Sequence, residues 1–125
     1  MATAINAENH DFGMQVVKAT LTFASASQSV TTTHKYYGFV TQCFIDHDDS
    51  TQPTNLWDLV ITDEFGVDVI NGKGANIAVA TDTHTFTQSD LDNGMACSGQ
   101  LTFSGTNGGT SSGEAIIYLY IARYQ

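Results

Sequence analysis

A chain of 125 residues with four Lys plus Arg against 13 Asp plus Glu, a formal net charge of -9, is long enough for one compact acidic domain and too short for two ordinary ones. The charge balance excludes the cationic surface that DNA or RNA binding needs to displace counterions, and it disfavours attachment to an anionic membrane for the same reason. Charged residues make up only 14% of the chain, against about a quarter in ordinary domains, so its polarity rests on Thr, Ser, Asn and Gly, which suit short strands and turns.

Residues 1–13 lack periodicity and read as an extended N-terminal arm ahead of a single domain at 14–125. The arm holds Asn9, His10, Asp11 and Phe12, which are candidate contacts with a neighbouring subunit. It has neither the basic nor the apolar region of a secretory signal, and no apolar run in the chain approaches the length of a membrane span. Synthesis in a cytoplasm is therefore expected, with Cys43 and Cys97 as free thiols, one of them in the core. A disulfide between them stays open at this level, because sequence cannot place their Cα atoms.

"MQVVKATLTFA" alternates Val17, Ala19, Leu21 and Phe23 with Lys18, Thr20 and Thr22, the pattern of a half-buried strand. A polar loop follows, with a short strand at "SVTTT". In "YYGFVTQCFI" apolar residues fill both parities: Tyr37, Phe39, Cys43 and Ile45 on one, Tyr36, Val40 and Phe44 on the other. Such a strand is covered on both sides. "LWDLVITD" groups Trp57, Leu59 and Ile61; "DEFG" reverses the chain at Gly66; "VDVI" returns as a short strand; and the Asn-Gly of "NGKGAN" turns again. Short strands are expected at "NIAVA" and "HTFT", a single helical turn capped by Ser89 in "QSDLDNGMACSG", a strand at "QLTFS", and a flexible loop at "GTNGGTSSG". In the closing "EAIIYLYIARY", Ile116, Tyr118 and Tyr120 alternate with Ala115, Ile117, Leu119 and Ile121, so both faces are apolar. Seven to nine short strands without a firm helix predict an all-β, antiparallel β-sandwich or small barrel.

No reagent set emerges. Asp46, His47, Asp48 and Asp49 form an acidic loop, but the spacing fails the twelve-residue calcium loop, with no glycine at its sixth position and Trp57 at its twelfth. A solvated loop is the expectation, and no metal or cofactor is assigned. His10, His34, His47 and His84 have no zinc spacing, and His84 among threonines reads as the exposed face of a strand. No nucleophile elbow or phosphate loop is present, and Asp63 and Glu64 sit at a turn. No catalytic residue is assigned and no enzyme is expected. The remaining signal is aromatic: Tyr36, Tyr37, Tyr118 and Tyr120 are candidate interface residues, with simple coverage of the core as the alternative.

At "LWDLVITDEFGVDVINGKGAN" and the closing "EAIIYLYIAR" the chain resembles small structural proteins of tailed bacteriophages, with an aspartate-rich turn, a "TDEFGVDV" hairpin, a "GKGAN" loop and a late Gly-Ser stretch. The resemblance covers well under half of the chain. It implies a virion component with a jelly-roll-like β-sandwich, added during assembly in the host cytoplasm. A capsid decoration or cement protein is the first expectation, with the major capsid protein as partner and a homo-oligomer, trimer or dimer, as its state. A tail or neck component, such as a ring, adaptor or tube subunit, is the alternative. A lectin-like domain that binds sugar through calcium, with Trp57 or tyrosines stacking beside "DHDD", is a third reading.

Overall fold

A computed structural model of the chain describes residues 3–9, 14–79, 83–86 and 95–123, apart from the side chains of Asn9, Met14 and Arg123. These residues contain nine antiparallel strands and no helix. The strands are β1 (Ala4–Asn9), β2 (Met14–Phe23), β3 (Gln28–Thr31), β4 (Tyr36–His47), β5 (Asp58–Thr62), β6 (Thr83–Phe86), β7 (Met95–Gly99), β8 (Thr102–Thr106) and β9 (Gly113–Arg123). A six-stranded sheet runs β1-β2-β9-β4, with β6 and β7 pairing in succession along the far edge of β4. A three-stranded sheet runs β3-β8-β5.

The pairings nest: β2 with β9, β3 with β8, and β4 with β7. From β2 to β5 each successive strand changes sheet. A long antiparallel ribbon is thus wrapped into two layers, which is the jelly-roll arrangement. The expected all-β antiparallel sandwich is what the chain forms.

The core lies between the sheets. Val17, Ala19, Leu21 and Phe23 of β2 and Ala115, Ile117, Leu119 and Ile121 of β9 are fully buried, facing Leu59, Ile61, Leu101 and Phe103 from the smaller sheet side. Burial of apolar area drives this closure, at about 25 cal/mol per Å². In β2, expected to be half-buried, Thr20 and Thr22 of the outward parity are buried as well, whereas β9 keeps strict period-two burial.

β4 does not. Its buried positions are 36, 38 and 40, then 43, 45 and 47. Val40 pairs with Ile121 and Gln42 with Tyr120, which leaves Thr41 as the extra residue of a β-bulge. The bulge changes parity in mid-strand. Tyr36, Val40, Cys43 and Ile45 therefore all point into one core, while Tyr37, Phe39 and Phe44 point out. The double-sided apolar pattern is real, but its two parities are not two faces.

Several local expectations are corrected. Residues 4–9, expected in an extended arm, form a strand of the main sheet because they pair with β2 from Ala4↔Thr20 to Asn9↔Val16. Residues 10–13 lie outside the described part. "VDVI" makes one bridge, Thr62↔Asp68, before the chain coils; Val69 and Ile70 then plug the core. Asn71 and Gly72, both at positive φ, make the tight turn that Lys73 N–H closes on the Ile70 carbonyl at 3.0 Å. "NIAVA" likewise keeps only the bridge Trp57↔Ile77. Ser89 lies outside the described residues, and Met95–Gly99 is strand β7. The glycine-serine loop is packed rather than loose: Gly108 N–H bonds the Ala26 carbonyl at 3.1 Å, and its Cα and that of Gly105 sit against the Phe23 ring.

Candidate functional site

The outward residues of the two sheets differ in kind. On the three-stranded sheet, Ser29 opposes Ser104 and Thr31 opposes Thr102, with hydroxyl contacts at 3.3 and 2.9 Å; Val60 is the apolar exception. On the six-stranded sheet the outward rows mix aromatic and aliphatic residues with polar ones, among them Lys18, Gln42, Asp46 and Glu114. Val16 of β2 lies beside Tyr120 of β9, Lys18 beside Tyr118, Tyr118 beside Phe44 of β4, and Ala122 beside Phe39. The Phe44 and Tyr118 rings stand 5.9 Å apart, and the Lys18 ammonium lies 5.6 Å from the Tyr118 ring centre. Tyr37 and Phe39, near the start of β4, are 49% and 44% exposed.

Of the tyrosines read as interface candidates, Tyr37, Tyr118 and Tyr120 share this outer face. Tyr36 does not. It is fully buried, and its hydroxyl donates to Glu8 Oε1 at 2.8 Å. Glu8 also accepts the N–H groups of Thr33 at 3.2 Å and His34 at 3.1 Å. Partial burial pushes the Glu8 carboxyl up, but these three donors together outweigh it and hold the group below its ordinary value. Burial, reinforced by Glu8, pushes the Tyr36 hydroxyl up. Tyr36 is thus a tie between β1 and β4, which corrects its reading as an interface residue. The Asn9 side chain, His10, Asp11 and Phe12 lie outside the described structure.

Phe39, Phe44 and Ile116 join the same face and escaped the sequence reading. For Ile116 the signal was present in the alternation of β9. For Phe39 and Phe44 the bulge at Thr41 hid it.

At one end of this face, where β4 ends and β9 begins, lies a shallow cavity of about 140 Å³ lined by Asp46, His47, Asp48, Asp49, Glu114 and Ile116. Asp46 pairs with Ile116, and Glu114 precedes Ile116 by two residues, so these three share the outward parity. Asp48 N–H donates to the Glu114 carbonyl at 3.0 Å and fixes the loop against β9. Asp48 Oδ2 accepts the N–H of Ser50 at 3.2 Å and of Thr51 at 2.7 Å, an aspartate-initiated turn. His47 differs from its neighbours: it is buried, and its Nε2 accepts the Trp57 indole N–H at 3.0 Å. Among the described residues, no three His, Cys, Asp or Glu side chains are grouped so as to hold a metal ion. Trp57 is fully buried, so it cannot be the sugar-stacking surface that the lectin-like reading gave it. His84 points inward beside Phe86, ring centres 4.7 Å apart, while Thr83 and Thr85 take the exposed side.

Both cysteines are free and buried. Cys97 lies in β7 and pairs with Gly38 of β4. Burial pushes its thiol up to about 11, with Asp63 adding to the rise and the Gly38 backbone opposing it. Burial pushes the Cys43 thiol further in the same direction. Such thiols are poor nucleophiles, because the thiolate is the reactive form.

Comparisons with protein-family models, with curated proteins and with solved structures find no match to this chain.

Proposed function

We propose that this protein is a non-enzymatic structural component of a virion, a decoration or cement protein that attaches to the head of a tailed bacteriophage, with the major capsid protein as its partner. The supporting observation is the contrast between the two sheets. One outer face carries the paired hydroxyls of Ser29 and Ser104 and of Thr31 and Thr102, with Val60 beside them; the other carries Val16, Tyr37, Phe39, Phe44, Ile116, Tyr118 and Tyr120. Tyr37 and Phe39 are exposed and the other members are half-buried; aromatic surface of this kind on a small sandwich suits a place of attachment. Many copies, each held by such a face, stabilise a shell through multivalency rather than through one strong contact. The acidic balance of the chain favours the outside of a particle over its DNA-lined interior. The test mixes the purified chain with empty capsids and measures co-sedimentation and the heat resistance of the particles. Binding with raised particle stability supports the reading; no co-sedimentation overturns it.

A tail or neck subunit is the second reading. It is favoured by β1, which ends the strand order of the main sheet and offers an edge for pairing. Sedimentation of the purified chain separates the two: a decoration protein stays monomeric, dimeric or trimeric, whereas a tube or ring subunit forms larger closed or open assemblies.

A further inference from the structure

The sequence holds three Asn-Gly pairs, at 71–72, 93–94 and 107–108. At such pairs an asparagine loses its side-chain ammonia most readily, because the glycine amide nitrogen, unhindered by a Cβ, can attack the carboxamide carbon. Residues 93–94 lie outside the described part. In the other two pairs the attacking nitrogen is engaged: Gly72 N–H donates to Asp68 Oδ2 at 2.8 Å and Gly108 N–H to the Ala26 carbonyl at 3.1 Å. At Asn107 the carboxamide is engaged as well. Its Nδ2 donates to Asp58 Oδ2 at 2.6 Å, while Asp58 Oδ1 accepts the Asn76 N–H at 2.8 Å. The Asn76 N–H, and after it the Asn107 amide, hold the Asp58 carboxyl below its ordinary value, so it is a carboxylate at neutral pH. The Gly108 carbonyl accepts the Thr54 N–H at 3.0 Å, and the Gly108 Cα sits against the Phe23 ring. Asn107 itself is exposed, with φ at 59°. Water therefore reaches a reactive pair whose two partners are each bound to something else.

We propose that Asn107 is a deamidation site gated by the loop between β8 and β9: the site is shut while Asp58 and Ala26 hold the reacting groups, and the loop cannot close again once Asn107 has been converted. In the step, Gly108 gives up its amide proton to solvent and its nitrogen forms a bond to Cγ of Asn107. The Cγ–Nδ2 bond breaks, and Nδ2 leaves as ammonia after taking a proton from water. Water then opens the cyclic imide at either carbonyl. The product is aspartate, or isoaspartate with the backbone routed through the side chain. No oxidant or reductant takes part. Gly108 N cannot attack while its proton is shared with the Ala26 carbonyl and the carboxamide is turned to Asp58, so conversion proceeds through local opening of the loop. Conversion also replaces the amide donor facing Asp58 with a second carboxylate, and like charges at that distance repel. Isoaspartate further adds a methylene to the backbone ahead of Gly108, which spoils the close fit of Gly108 on Phe23. Loss of ammonia makes the change one-way. The inference stands on this loop alone and does not depend on the proposed function.

The test incubates the full chain in mildly alkaline buffer, folded and in urea, and follows conversion at Asn71 and Asn107 by peptide mass spectrometry with enzymatic detection of isoaspartate. Asn107 is expected to convert at least about tenfold more slowly in the folded chain than in urea. Asp58→Ala, its fold checked by amide NMR, is expected to speed conversion at Asn107 severalfold while Asn71 keeps its rate. Asn107→Asp represents the product, and Asn107→Gly removes the same bond without adding charge, at a backbone position that glycine accepts. Amide exchange of Gly108 and Thr54 should be at least about threefold faster in Asn107→Asp than in Asn107→Gly. Three results overturn the proposal: equal rates at Asn107 in the folded chain and in urea, a folded Asp58→Ala chain that converts Asn107 no faster than the natural one, or equal protection of Gly108 and Thr54 in the two Asn107 variants. Should Asp58→Ala fail to fold, the urea comparison and the Asn107 pair decide the matter.

Discussion

The Trp57 indole N–H donates to His47 Nε2 at 3.0 Å with both side chains fully withdrawn from water, at the end of the sandwich where the acidic loop closes over the core. The bond requires an imidazole with Nε2 free of a proton. The Phe23 ring packs edge-on to Trp57 at 5.5 Å, so three elements meet on the one tryptophan of the chain. Replacing His47 with Leu removes the acceptor and leaves the buried N–H unpaired, which is expected to destabilise the fold by about 1–3 kcal/mol in urea unfolding. A cycle with Trp57→Phe should recover about 1 kcal/mol of coupling, since the double variant no longer buries an orphan donor. Additive losses would show that the bond contributes nothing beyond packing.

Glu8 supplies a pH-dependent tie. Its folded value is depressed, so the stability that it contributes is complete above the ordinary value of 4.5 and is lost as pH falls through the folded value. Glu8→Gln is expected to lower stability at pH 7 by about 1 kcal/mol, once the partial exposure of the carboxylate is discounted. The gap to the natural chain should narrow below pH 4.5. Urea midpoints at pH 7 and pH 3 check this, and a gap independent of pH would refute it. Hydrogen exchange in β1 should accelerate first, because that strand has one paired edge and is held at its far end by this carboxylate.

Much of the sandwich is legible in the residues. The alternation at Val17–Phe23 and Ala115–Ile121 identifies the core faces directly, and Asn71–Gly72 announces its turn. What is not legible depends on distant partners. β1 is short and rich in Asn and Glu, and its place in the sheet comes from backbone pairing and from Thr3, whose hydroxyl accepts the Thr22 N–H at 3.0 Å. His47 sits in a run of aspartates and becomes a core residue only when the loop of residues 48–56 returns Trp57 to it. Tyr36 and Tyr37 are indistinguishable as letters, yet one is core and the other surface. The parity that decides between them is carried through β4 by a bulge that no residue type marks.

That bulge invites deletion. Removing Thr41 would restore simple alternation to β4 and turn Cys43, Ile45 and His47 toward solvent, with Phe44 and Asp46 driven inward. The chain is expected to lose cooperative unfolding and near-UV dichroism. Exchange of Thr41 for Val, which keeps the length and loses only the 3.3 Å bond from its hydroxyl to the Tyr120 carbonyl, should leave the fold intact. A folded deletion variant would show that the parity change is dispensable.

The Phe23 ring is clamped by Gly105 and Gly108, and a Cβ at either position would overlap it. Ala at either site is expected to destabilise by about 1–3 kcal/mol through overpacking. Gly108→Ala combined with Phe23→Leu should recover part of that loss by opening space. Thermal unfolding of the set provides the measurement, and equal loss in the single and double variants would argue against steric overlap.

The paired hydroxyls of the smaller sheet gain meaning from their position opposite the aromatic band. A molecule laid down on its aromatic side would turn the paired Ser and Thr hydroxyls upward, with Val60 among them. The sandwich has a right way up. Attachment through the band would leave Ser29, Thr31, Thr102 and Ser104 as the outermost row.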